Sequence, residues 1–572
     1  MNLKATLIIL LFAATNDVFS LGLRKNDFSS SDTTKNFVED KLLLMQMSKA
    51  RTAFVEYEYY KALDMYEELY GGNKNSALLN LRIAECHHAL KQYDKAKIYA
   101  EAAKELNPNV HEDLFFLSGQ IYHRLGDINA ARENFKKYLP LTKKRSDERK
   151  DTERFLKQLD VAEDLLKKPV DVEIKALGTN VNSPYDDYAP SVSADGSMMI
   201  FTSRRTDTKG RGTDPYDKKF YEDIYISMWD SVKNEWGLAE HVPGRINTEF
   251  HDASLSISPD GGTIYIYRNI PGETQSGDIY FSNYKNERWG SPKPMPKPIN
   301  TSYFESSASL SADGKYMYFV SERASGYGRG DIYRSKKISK NEWGVPENLG
   351  AVVNSEHDEI SVFIHPDGKT LFFSSERETS MGGYDIFKTV YNKGKWSTPE
   401  NLGYPINSFE DDLHFVLTID NKTAYFSSVR EKEGVGGRDI FMADMSKYPI
   451  HISEEERAKE KELAAKSGED KIASNLSILK GKVLDSDAAQ SMEVELSFYN
   501  NAGEKIGSTY SSIEGEYFIT LPGNEDYKVE IKQKGYLDFS EEFNLPLGEG
   551  QTFIKAKNYI INRVPVEPRK RK

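Results

Sequence analysis

One cysteine, Cys86, is all the thiol this 572-residue chain has, so no internal disulfide can form. Its domains must hold by packing alone. Cys86 lies in an apolar helical setting with Ile83, Ala84 and Ala89, which suits a small core residue better than a metal ligand or nucleophile. Long apolar runs are also missing. The strongest, Leu7-Ile8-Ile9-Leu10-Leu11-Phe12, is far too short to span a bilayer. Basic charge is scarce: 76 Lys and Arg stand against 88 Asp and Glu, a net charge of −12. That balance argues against nucleic-acid binding, which wants a basic face. The one basic run, Arg569-Lys570-Arg571-Lys572, reads as a solvated tail.

Catalytic signatures are missing too. There is no Gly-x-Ser-x-Gly elbow. Gly-rich stretches such as Gly326-Tyr327-Gly328-Arg329-Gly330 fall between predicted strands, without the strand-to-helix setting that cradles phosphate. His87 and His88 are adjacent on a predicted helix and so do not share a face. The expectation is no enzyme, with no catalytic, cofactor-binding or metal-ligating residue.

What is present begins with Lys4, the short apolar core and small residues at Val18-Phe19-Ser20, the pattern of a secretory signal over residues 1–20. No cysteine follows it to carry a lipid, so a periplasmic location, soluble or peripheral to a membrane, is expected. Residues 36–168 then show helical periodicity with a second-order repeat. Ala62, Ala96 and Ala131 stand 34 and 35 apart, each followed four residues on by Tyr66, Ala100 or Phe135. Ala84 and Gly119 hold the small position of a first helix. Gln92-Tyr93-Asp94 and Gly126-Asp127 fit the turns, and Asn107-Pro108 ends a unit. A final helix (Phe155, Leu159, Ala162, Leu166) suits a cap.

From 170 to 447 another period takes over. Asp-Ile-Tyr or Asp-Ile-Phe recurs at Asp223, Asp278, Asp331, Asp385 and Asp439, in steps of 55, 53, 54 and 54. Each is preceded by an Asp195-Gly196-type turn (also at Asp260, Asp313, Asp367 and Asp420), read as a tight hairpin with both residues in unusual backbone conformations. Trp236, Trp289, Trp343 and Trp396 follow at 53, 54 and 53, and Trp289 and Trp343 should be buried between neighbouring units. Short strands at constant spacing indicate a radial array, a five-bladed β-propeller. The fifth unit lacks an outer strand. Val172 to Leu177, followed by a Leu-Gly pair spaced as in other units, supplies it from the front and should close the ring. The first unit carries an insertion, Thr206 to Tyr221, placed where function is grafted onto a scaffold. Acidic clusters repeat at Asp186-Asp187, His251-Asp252, His357-Asp358-Glu359 and Asp411-Asp412. They read as solvated loops, with a cation-gathering channel as the sharper alternative. The Asp of each Asp-Ile-Tyr reads as a structural hydrogen-bonding group rather than a ring of metal ligands.

A charged linker (448–475) leads to period-two alternation over 476–561, where Met492, Val494, Leu496 and Phe498 share a face of a small β-sandwich. The basic tail occupies 562–572.

The helical spacing resembles the tetratricopeptide repeat. The Asp-Gly turns, Ser203-Arg204, Ser321-Glu322-Arg323, Ser375-Glu376-Arg377 and the Asp-Ile-Tyr strands resemble WD40-like (PD40) repeats, also found in TolB-type propellers. Gly481-Lys482-Val483, Gly515-Glu516-Tyr517 and Gly535-Tyr536 resemble the carboxypeptidase-regulatory-like module. The order of these modules is similar to the PorE-like periplasmic proteins associated with the type IX secretion system of Bacteroidetes. The resemblance implies a scaffold whose partners are outer-membrane or secretion-apparatus proteins. That family continues into an OmpA-like peptidoglycan-binding domain. None is recognised before Lys572, so wall anchoring is not carried over. The other class of function is a periplasmic carbohydrate- or peptide-binding propeller, or a divergent hydrolase, using the acidic channel.

Overall fold

The computed structural model describes residues 37–448, apart from 211, 270–276, 286–287, 340–341 and 431–432, and residues 476–564, apart from 488 and 547–551. The expected signal, nearly all of the linker and most of the basic tail lie outside the described residues.

Among the described residues, seven α-helices come first: α1 (Phe37–Val55), α2 (Tyr59–Asn73), α3 (Ala77–Ala89), α4 (Tyr93–Leu106), α5 (Leu114–Arg124), α6 (Ile128–Tyr138) and α7 (Asp147–Lys167). None is long and apolar enough to cross a membrane. Side chains cap several starts: Ser76 accepts from the Leu79 N–H, Asp127 from Ala130 and Ser146 from Arg149. The repeated small residues are where helices touch. Ala62, Ala96 and Ala131 are fully buried. A Cβ on Gly119 would sit 2.6 Å from the Phe135 ring, so nothing larger fits there. The turn inside each helix pair needs one left-handed residue. Gly126 (φ 74°) supplies it without strain in the third pair, but Tyr57 (φ 64°) and Lys91 (φ 57°) supply it in the first two. A bulky side chain there costs about 1–3 kcal/mol.

Five antiparallel sheets follow. The first is typical: Asp187–Val192, Met198–Ser203, Asp223–Asp230 and Glu235–Trp236, with Glu240–His241 alongside. The leading strands of successive sheets lie side by side, and the fifth, Leu413–Leu417, returns to meet the first. Ser side chains bridge neighbours, as where the Ile257 N–H donates to Ser191 Oγ and the Val362 N–H to Ser307 Oγ. The last sheet takes its outer strand from the front of the array: Glu173–Ala176 pairs antiparallel with Phe441 to Asp444. Trp289 and Trp343 are buried as expected, whereas Trp396 is only partly buried. Trp289 is buried among Ile200 and Ile224 of one sheet and Ile264 and Ile266 of the next. Trp343 lies likewise against Ile279 and Phe319.

The hairpin turns differ from the reading of the sequence. Only their second residue, Gly196, Gly261, Gly314, Gly368 or Asn421, is left-handed. Each turn is a four-residue loop in which, for example, the Gly196 N–H donates to the Ser193 carbonyl. The Asp instead uses its side chain, Asp195 accepting from the Ser197 N–H. The aspartate therefore acts as a side-chain acceptor and its backbone is unstrained.

Beyond residue 475, two four-stranded sheets enclose Leu479, Val483, Leu496, Phe498, Tyr527 and Val529. This unit meets the turn side of the sheet array. Ile478 and Phe518 pack on Ala194 and Ile419, Lys480 pairs with Asp195 at 3.2 Å, and Thr520 Oγ1 donates to the Pro366 carbonyl.

Candidate functional site

Half of every acidic cluster is structural. Asp187, Asp252, Glu305, Glu359 and Asp412 are buried and each faces an arginine of its own sheet: Arg205 (2.7 Å), Arg268 (2.6 Å), Arg323 (3.5 Å), Arg377 (2.8 Å) and Arg430 (3.1 Å). Each also accepts the N–H of a Ser or Thr four residues earlier, as Asp412 does from Ser408. The expectation of solvated loops is corrected for Asp187, Asp252, Glu359 and Asp412, and Glu305 is the matching position of the third sheet, which the reading of the sequence did not single out. A buried carboxylate needs a charge partner and hydrogen bonds, and all five have both. A companion motif escaped the reading of the sequence. Asn182, Asn247, Asn300, Asn354 and Asn407 each accept the N–H and donate to the carbonyl of an Ile in the Asp-Ile-Tyr or Asp-Ile-Phe strand of the neighbouring sheet, Asn407 with Ile386 and Asn182 with Ile440 for instance. The signal was present as Asn-Ser/Thr-x-x-x-Asp/Glu, repeated five times.

The Asp-Ile-Tyr aspartates behave as structural groups. Asp331 accepts the N–H groups of Tyr327 and Gly328, Asp385 those of Met381 and Gly382, and Asp439 those of Val435 and Gly436. No metal-holding cluster of His, Cys, Asp or Glu occurs among the described residues. His87 is engaged by Gln92 at 2.8 Å and stacks on Tyr99, and Cys86 is buried.

The remaining cluster members reach the helices. Asp411 is enclosed by Lys91, by Arg124 at 3.1 Å and by Arg438 at 3.8 Å. Burial alone would raise its carboxyl, but the three cations outweigh burial and hold it well below the usual range. Lys91 and Arg124 come from the turns of two helix pairs, so one carboxylate pins the helical segment to the sheets. Backbone carbonyls complete the seam: His123 Nε2 meets the Met381 carbonyl at 2.8 Å, and Gln158 donates to Glu376 and Arg377 at 3.0 Å. The cap helix α7 thus also docks on the sheets, beyond its expected role.

Beside this seam lies a cavity of about 260 Å³. Tyr57 walls it from the α1–α2 turn and Tyr60 from the start of α2, Tyr188 and Tyr267 from the sheets, and Asp214, Tyr216, Asp217 and Lys219 from the insertion. The insertion therefore lines this cavity. Its charges are cross-braced. Arg204 grips Asp217 at 2.5 and 3.1 Å, Lys219 pairs with Asp186 at 2.5 Å, and Tyr188 donates to Glu222. His251 stands between Asp214 (3.2 Å) and Glu222 (3.1 Å). Burial would lower the imidazole, but the two carboxylates overcome it and push it up to about 9. Because the folded value exceeds the ordinary 6.5, its contribution is full below about pH 6.5 and is lost as pH rises through 9. Unfolding free energies from urea melts should fall between pH 7 and 9 by on the order of 2–3 kcal/mol more for the protein than for His251→Gln. Parallel pH profiles for the two proteins would refute this.

Residues 77–110 and 112–144 match the tetratricopeptide repeat, so such a segment is present ahead of the large all-β region. Among solved structures, the chain is similar to the Yersinia enterocolitica type III secretion chaperone SycD in complex with a peptide of the translocator YopD. That likeness has 14% identity over 22% of this chain and 99% of that chain, with a TM-score of 0.20. The second TPR domain of human RPAP3 in complex with an HSP70 peptide has 20% identity, covering 21% and 98%, TM-score 0.18. A 3-chlorocatechol 1,2-dioxygenase from Rhodococcus opacus 1CP has 13% identity, covering 16% and 60%, TM-score 0.14. Scores this low carry no weight for function. No curated protein matches.

Proposed function

We propose that the chain is a non-enzymatic exported scaffold. In this reading the five sheets are a five-bladed WD40-like propeller, and the protein works beside outer-membrane or secretion-apparatus proteins in the manner of the PorE-like group. The observation that carries the reading is the pinned helical segment. A tetratricopeptide segment, matched over residues 77–144, is fixed edge-on to the sheets through Asp411, so its exposed surfaces are presented in one orientation. Tetratricopeptide surfaces dock partner helices and peptides. The repeated carboxylates support it as well, since they are engaged in holding the sheets together.

The test is affinity capture from detergent-solubilised envelopes of the source cell with the tagged full chain. The expected result is enrichment of outer-membrane or secretion-complex proteins over an unrelated exported bait. Recovery of only cytoplasmic proteins, or no enrichment, refutes the scaffold reading. A second reading, a carbohydrate- or peptide-binding propeller, is favoured by one observation, the tyrosine-lined cavity at the seam.

A further inference from the structure

We propose that the seam cavity binds a neutral, polyhydroxylated ring, a monosaccharide unit of a carbohydrate, held between the tyrosines of the α1–α2 turn and the start of α2 and those of the sheets. The proposal deepens the second reading by naming its ligand class, and it stands or falls separately from the scaffold reading.

Three observations converge. The first is size. About 260 Å³ lies just below the roughly 300–1,000 Å³ of sites for drug-sized ligands, which suits one ring. The second is the charge balance of the walls. Every lining carboxylate already has a cation: Asp186 has Lys219, Asp217 has Arg204, and Asp214 and Glu222 share His251. Every lining cation is likewise paired, Lys91 and Arg438 with Asp411. A charged ligand would have to break one of these pairs, whereas a neutral hydroxyl can use lone pairs the carboxylates still have. The third is unspent hydrogen bonding beside aromatic faces. Tyr267 lines the cavity, is 1% exposed, and its phenol has no hydrogen-bond partner among the described residues. Tyr60 lines the same cavity together with Asp186 and Asp217. Buried phenols ordinarily find partners. Aromatic faces with a few fixed polar groups match a sugar, which offers a C–H face and a rim of hydroxyls.

Tyr57 fits the same purpose. It takes the strained left-handed position at the turn where the third helix pair uses Gly126, and its side chain becomes a cavity wall.

The experiment titrates the full folded chain with glucose, galactose, mannose and N-acetylglucosamine, by saturation-transfer NMR and calorimetry. Tetramethylammonium serves as the cation arm and inorganic phosphate as the anion arm. At least one sugar should bind saturably with Kd below about 10 mM. Tyr267→Phe and Tyr60→Phe should each weaken it about tenfold, with melting midpoints unchanged. Binding by no sugar overturns the proposal. So does sugar binding indifferent to both substitutions, or binding confined to tetramethylammonium or phosphate. None of these outcomes bears on capture of envelope proteins, which tests the scaffold reading alone.

Discussion

Replacing Asp411 with Ala should cost about 3–5 kcal/mol and uncouple the helices from the sheets. The carboxylate is buried, and removing it takes away the group that Lys91, Arg124 and Arg438 all face. Gly383→Ala should reproduce the effect by a different route. A Cβ there would lie 1.8 Å from Arg124 Nη1 and 2.0 Å from Asp411 Oδ1, so the cluster has to break to admit one methyl group. All five Trp residues belong to the sheet array, so Trp fluorescence follows the sheets and far-UV circular dichroism at 222 nm follows mainly the helices. In the unmodified protein the two urea transitions should coincide. In both variants the helical signal should be lost at lower urea. Coincident transitions with a loss under about 1 kcal/mol would show that the seam is held elsewhere.

Trp289→Ala should cost a similar amount, about 3–5 kcal/mol, for a different physical reason. The indole is 2% exposed and fills the space between two sheets, with Tyr284 tilted against it at 5.0 Å. Its backbone also joins the sheets, since Trp289 bridges Gly244, where a Cβ would come within 2.3 Å of the Trp289 carbonyl. Truncation leaves a large cavity lined by isoleucines that two rigid sheets cannot close. Trp289→Phe should recover more than half of the loss. A cost near zero for the Ala variant in denaturant melts would mean that the sheets are not packed through this residue.

The sequence alone determined the elements and their order. Asp-Ile-Tyr at a near-constant interval, Asp-Gly turns and the Trp spacing set the repeated strands. The 34- and 35-residue alanine steps set the helix pairs, and period-two alternation set the last unit. It also determined that Glu173–Ala176 would complete the last sheet, because a missing strand in one repeat and a surplus strand before the first are both visible in a list of spacings. These features are legible because helix, strand and turn preferences act over a few residues, and a repeat multiplies a weak local signal. Only the tertiary structure decided which acid of each pair is structural. Asp411 and Asp412 are neighbours with the same side chain. Yet Asp412 turns to Arg430 inside its own sheet, and Asp411 meets Lys91 and Arg124, some 290 to 320 residues away. The cavity is of the same kind. Tyr60, Asp186, Lys219 and Tyr267 share no spacing, and no local preference brings them together. Their meeting depends on where the turns of a helical stack land on an array of sheets. Long-range packing and charge pairing fix that position, and both act between segments whose separation along the chain leaves no periodic trace.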